Sequence, residues 1–217
     1  LLYGFLRGIG SGLIATAVLG FLVTAGPVVS EELRFRLGKT RTQTSGFGTI
    51  LEQIRAEEEK REYILEKAKE LSAPNTYFSI VIPKIQARAK VLPNIDAADT
   101  NAYTSALQEV VAHAQGSVFP GISGATFLFA HSTDAPWNFA RYNAVFYLLR
   151  ELEPGDEVYL FFLDELYKYK VSEKHIAEPQ DVSWLTGARE GPPRLILQTC
   201  WPPGTTLKRL IVVAEPT

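Results

Sequence analysis

The chain carries one thiol. Cys200 ends the apolar run "RLILQT" (194–199), a Pro-Gly turn follows, and Arg209 opens the next apolar run, "RLIVVA" (209–214). A thiol is a useful nucleophile only as thiolate, so it needs a base or a cation close by. Three histidines are available: His113, His131 and His175. His131 follows "ATFLFA" (125–130) just as Cys200 follows "RLILQT". Two strands ending side by side would bring imidazole and thiol to one rim. If the runs flanking the turn pair antiparallel, Arg209 returns beside Cys200, where a fixed cation stabilises negative charge developing on a carbonyl oxygen. That trio suits acyl transfer. The competing reading on spacing alone is a thiol that merely packs. His113, in "VVAHAQGSVFPG", and His175, after "YKVSEK", read as polar loop residues, the latter on the surface.

The positioning elements are mostly strands. Short runs rich in Val, Ile, Phe, Tyr and Leu recur at 77–82, 89–92, 125–130, 156–163, 165–171, 194–199 and 209–214. Turn residues separate most of them, the pattern of a sandwich or barrel. "PGD" (154–156) and "PPGT" (202–205) are turns because proline presets φ and glycine accepts positive φ. One helix is expected inside this region, over 139–152, with Tyr142, Val145, Phe146 and Leu149 on one face. The globular part is thus 73–217.

Ahead of it, Gly8 to Ser30 holds no charge and is long enough to cross a hydrocarbon core of about 30 Å as a helix. Residues 1–30 are expected to be a membrane anchor, which is longer in its apolar part than a signal peptide. Arg34, Arg36, Lys39 and Arg41 outnumber Arg7, and a positive-inside count on these residues favours a cytoplasmic C-terminal part. Residues 31–72 are expected to be a linker, "TRTQTSGFGT" (40–49), and a helical stalk, 50–71. The chain has no methionine, so its true start is expected upstream. With 46% hydrophobic and 21% charged residues a proper core is expected, and a net charge of −2 gives no reason to expect nucleic acid. One cysteine excludes an intrachain disulfide. No metal-ligand spacing stands out, so neither metal nor cofactor is expected.

"LQTC" followed by "PPG" and "KRLIVVA" resembles the signature of sortases, the cysteine transpeptidases of Gram-positive-type surfaces. "FSIVIPKIQARAKVLPNID", "AHAQGSVFPGISGATFLFAHS", "LLRELEPGDEVYLF" and "EPQDVSWL" resemble further segments of that family, in order, across roughly 77–214. Ala130 stands where glycine is common, and Ile196 where the phrase usually has Thr. The resemblance implies a closed β-barrel of about eight strands with short helices, after the anchor and stalk. It implies His131 as catalytic histidine, Cys200 as nucleophile and Arg209 as oxyanion-stabilising arginine, with His113 and His175 outside the triad. Thr199 and Trp201 are substrate-binding candidates. Trp201 and Trp137 each either line the groove or cap the barrel. The loop around 176–193 is expected to shape specificity. The implied reaction cleaves an LPxTG-like sorting signal between Thr and Gly and joins the acyl part to an amine from a cell-wall precursor or pilin. The implied setting is the cell membrane, single-pass, with the catalytic part outside and surface proteins as substrates. A cysteine hydrolase on the same scaffold, or a non-catalytic barrel binding peptide or wall polymer, are the rivals.

Overall fold

A computed structural model describes residues 2–97, 110–131 and 145–217. The chain divides into two units, 1–59 and 60–217. Helix α1 (Leu2–Glu70) runs through the first and into the second. In the first unit Leu19, Phe21, Val23, Val28 and Val29 are all more than half exposed. Exposed pairs Arg34–Glu31 and Arg36–Glu32 lie one turn apart, at 3.4 and 2.7 Å. Among the described residues, no helix is long and apolar enough to cross a membrane. The stretch 40–49, expected as linker, is helical. Gly46 and Gly48 each cost about 1 kcal/mol in a helix, but helix on either side removes the cost of nucleation.

The second unit is a closed barrel of eight strands: β1 (Phe78–Ile82), β2 (Ala87–Ile95), β3 (Val111–Ala114), β4 (Ala125–Phe129), β5 (Glu157–Phe162), β6 (Glu165–Ala177), β7 (Arg194–Trp201) and β8 (Lys208–Pro216). Around the barrel the order is β1-β2-β3-β4-β7-β8-β6-β5, closed by β5 pairing β1. β2–β3 and β4–β7 are parallel; the rest are antiparallel.

Each strand alternates sides with period two. Inward residues such as Phe78, Ile80, Leu128, Leu160, Leu195, Leu197, Leu210 and Val212 form the main core. Outward residues are buried in two places. Val81 and Phe161 lie under Ile64 and Ala68, near the C-terminal end of α1. Phe127, Phe129, Ile196, Ile211 and Val213 lie under the β6–β7 connection, with Trp184 and Leu185 of the short helical turn α2 (Ser183–Thr186) packed on them. Burial on both faces explains why β1 and β4 read as continuous apolar runs rather than alternating ones.

Two sequence expectations need correction. His113 is not on a loop: it sits on β3, is 1% exposed, and its ring stacks on Phe119 at 4.5 Å. His175 lies on β6, not in a loop, with Trp184 5.0 Å away and Glu173 Oε2 2.9 Å from its Nε2. The short run around His113 lacked the β-branched alternation that marks a strand, and β6 runs six residues beyond 171 on a charged outer face. The helix expected over 139–152 falls partly outside the described residues, Tyr142 included. Its described end is a 3-10 turn, Tyr147–Glu151, and Val145, Phe146 and Leu149 are buried in the barrel core as their spacing requires.

One glycine ties the β6–β7 connection down. Gly124 has φ +110°, and a Cβ there would sit 2.6 Å from the Ala188 carbonyl. The backbone is that close because Ala125 N–H donates to Ala188 O at 2.5 Å and Arg194 N–H to Gly124 O at 2.9 Å.

Candidate active site

β4 and β7 are the strands that carry His131 and Cys200. They run parallel and in register, with Phe127 opposite Ile196 and Phe129 opposite Gln198. Two more residues along each strand reach His131 and Cys200. Beyond the last ladder pair the ends stay joined. Ala130 N–H donates to Gln198 O at 3.2 Å, and the Thr199 hydroxyl donates to Ala130 O at 3.0 Å. β8 then returns antiparallel to β7 and sets Arg209 directly opposite Cys200.

Strand parity decides which side chains meet. Phe127 and Phe129 on β4, Ile196 on β7, and Ile211 and Val213 on β8 all face outward. His131, Cys200 and Arg209 share that parity, so all three project to the outer face of the wall. They border one cleft of about 100 Å³, with Ala97, Phe129, Ala130, Gln198 and Thr199. Cys200, His131 and Arg209 are each half-buried: reachable, yet partly shielded from water. The Arg209 guanidinium is held by its own loop, Nη1 donating to the carbonyls of Thr206 at 3.2 Å and Lys208 at 3.1 Å.

The opposite parity takes Thr199 and Trp201 elsewhere. Thr199 is 4% exposed and reaches the cleft only at its wall, with its hydroxyl committed to Ala130. Trp201 is partly buried and packs against the barrel core, and it is not among the described residues that border the cleft. Trp137 lies outside the described residues. His113 stays away from the thiol, inside an aromatic and hydroxyl network. Its Nδ1 accepts from Asn94 N–H at 3.2 Å, and Nε2 lies 3.1 Å from Val118 O and 3.0 Å from Ser117 Oγ. Those partners fix a neutral imidazole with the proton on Nε2. Burial pushes its pKa below the usual histidine range, and the Val118 carbonyl offsets this in part.

A second cleft of about 160 Å³ continues from the first and shares Ala97, Gln198 and Arg209 with it. Its other walls are Phe127, Pro179, Asp181, Val182, Trp184 and Leu185. Gln198 was missed by residue-type reasoning, although its spacing of two from Cys200 puts it on the same face. The 179–185 wall falls in the loop expected to shape specificity, but its individual residues carried no signal.

A thiol, an imidazole and a guanidinium on one wall are the group types that can act as nucleophile, proton carrier and anion stabiliser. A family model, the Sortase domain, matches residues 80–217. Sortase D of Bacillus subtilis (strain 168) is 28% identical over 208 residues, covering 90% of this chain and 95% of that one. Among solved structures, sortase A from Corynebacterium diphtheriae is similar at TM-score 0.53 and 25% identity, over 65% of this chain and 60% of that one. Sortase C from Clostridium perfringens, solved with the C-terminal cell wall sorting motif, is similar at TM-score 0.52 and 25% identity, over 64% and 69%. A family match that begins within β1 and spans the rest of the barrel places the chain in the sortase family of cysteine transpeptidases.

Proposed function

We propose that this transpeptidase cleaves an LPxTG-like sorting signal between Thr and Gly and transfers the acyl part to an amine. The observation that carries the reading is the shared outward parity of His131, Cys200 and Arg209 around one cleft. In the first step Cys200 gives its proton to His131 and its Sγ attacks the scissile carbonyl. Arg209 stabilises the oxyanion, the C–N bond breaks, and His131 gives a proton to the departing amine, leaving a thioester. In the second step an amine attacks the thioester, the C–S bond breaks, and His131 takes the amine's proton. Amine-bearing wall precursors or pilins are the acceptors, and surface proteins ending in a sorting signal are the donors.

The test incubates the full chain with an LPxTG-type peptide and a small amine, read by mass spectrometry, beside Cys200→Ala. A thioacyl adduct on Cys200 and a peptide–amine product support the reading. A free acid formed even with amine in excess makes the protein a hydrolase. An intact peptide across a panel of motifs, with Cys200 resisting alkylation, overturns both.

The setting we propose is a single-pass cell membrane protein, anchored through residues 1–30 with the barrel outside. The uncharged stretch from Gly8 to Ser30 and the exposed Leu19, Phe21, Val23, Val28 and Val29 support it. Labelling of Cys200 in intact cells by a membrane-impermeant thiol reagent tests the orientation. Labelling only after lysis reverses it.

A further inference from the structure

The two clefts meet at Arg209, and their charges are arranged end to end. In the second cleft the charged groups among the described lining residues are Arg209 at the junction and Asp181 in the wall built from the β6–β7 connection. The rest of the wall from that connection is apolar, Pro179, Val182, Trp184 and Leu185, and Phe127 of β4 and Gln198 of β7 complete the floor with Ala97. Among the described residues, the two cations that open β8 already have partners. Lys208 pairs with Glu178 at 3.2 Å, and Arg209 is turned toward its own loop carbonyls.

Asp181 is ionised and held in place. Ser183 donates to it twice, from its backbone N–H at 3.1 Å and its hydroxyl at 2.5 Å, and both bonds fall on Oδ1. These bonds hold its carboxyl below the usual range, so it stays charged across working pH. Both printed bonds are to Oδ1, and the residue is exposed, so its negative charge is open to a ligand in the cleft. A peptide that fills the first cleft and runs on past Arg209 therefore meets an apolar wall with one carboxylate on it.

From this geometry we infer that Asp181 is a specificity-determining residue: it selects peptides carrying a basic side chain a few residues from the scissile bond and disfavours acidic ones there. The inference rests on the peptide-transfer reading above. The carboxylate is exposed, so the selection is modest, roughly two- to fivefold, the range an exposed ion pair supports. It is also sensitive to salt, because solvent-exposed charges are screened over about 10 Å at 0.1 M.

The experiment uses full-length protein and a peptide series in which Lys, Gln or Glu is scanned through the positions flanking one sorting signal. Peptides compete in pairs. Turnover is read by mass spectrometry with Cys200 present, and binding by fluorescence anisotropy in a Cys200→Ala background. Each is repeated with Asp181→Asn, which keeps a side-chain oxygen for Ser183 and removes the charge. The expected result is a Lys-over-Glu preference of two- to fivefold at one position, collapsing toward unity in Asp181→Asn and fading as salt rises. Equal use of Lys and Glu peptides, or a preference that survives Asp181→Asn, overturns the inference. If the Lys preference is present in binding but no peptide is cleaved, the inference stands and the transfer reading falls. If no peptide binds, both fall.

Discussion

Thr199→Val separates positioning from substrate contact at the wall of the cleft. The Thr199 hydroxyl donates to Ala130 O at 3.0 Å, and both residues are nearly out of contact with water. That bond joins the last residue before Cys200 to the last residue before His131. Valine keeps the shape and removes the donor, leaving the Ala130 carbonyl without that donor in a site that water barely reaches. An unmade bond of this kind costs about 1–3 kcal/mol of stability. The same bond sets the spacing of the two strand ends, so loosening it acts on the transition state. A loss of about 1.4 kcal/mol there is a tenfold drop in rate. We expect kcat to fall about tenfold with KM almost unchanged, measured by peptide–amine formation, and the urea midpoint to drop. Thr199→Ser retains the donor and is expected to keep most of the rate while losing about 1 kcal/mol for the missing methyl. A raised KM with unchanged kcat in Thr199→Val would mean that the hydroxyl contacts the peptide instead. Wild-type stability and kinetics in that variant would refute the role altogether.

Gly124→Ala combines positive φ with a Cβ 2.6 Å from the Ala188 carbonyl, so it is expected to cost at least about 2 kcal/mol in denaturant unfolding. An unfolding curve within error of wild type would show that the β6–β7 connection gives way freely. Arg209→Lys keeps the charge opposite Cys200 but loses the planar fork. It is expected to slow acylation roughly a hundredfold while leaving alkylation of Cys200 by a small reagent little changed. His113 contributes to acid sensitivity. Its folded pKa lies below the unfolded value of about 6.5, so the unfolded chain binds more protons in that window. The stability from its neutral form is complete above pH 6.5 and is lost as pH falls through the window. His113→Phe is therefore expected to flatten the fall in urea midpoint as pH drops below the unfolded value, although it also lowers the midpoint at neutral pH by removing the acceptor for Asn94 N–H.

How far this protein could be read from its sequence follows from the range of each interaction. Seven strand runs were legible because burial selects Val, Ile, Phe, Tyr and Leu on neighbouring residues, alternating or continuous, and turn residues bound most of them. β3 was not, because only Val111 of its four residues is β-branched, the others being two alanines and His113, and the strand takes its form from β2 and β4 on either side. The same dependence on neighbours made His113 look like a loop residue when it is a buried, neutral imidazole. Helix α1 shows the converse: "TRTQTSGFGT" reads as a linker alone, yet it is helical between two helix-favouring flanks.

The site divides along the same line. Cys200 opposite Arg209 was foreseeable, since an antiparallel pair across a Pro-Gly turn needs few residues to close. His131 beside Cys200 is a different matter, because β4 and β7 are parallel strands joined through β5 and β6. Nothing local dictates that pairing; motif resemblance supplied the pair, and the register explains it. Parity then sorts the remaining candidates with no further information. Positions 196, 198 and 200 face one way and 197, 199 and 201 the other, so Gln198 belongs to the cleft while Trp201 packs on the barrel interior. Once the core side of β7 is known from Leu195 and Leu197, a shift of one residue along it is the difference between lining the cleft and packing against the core.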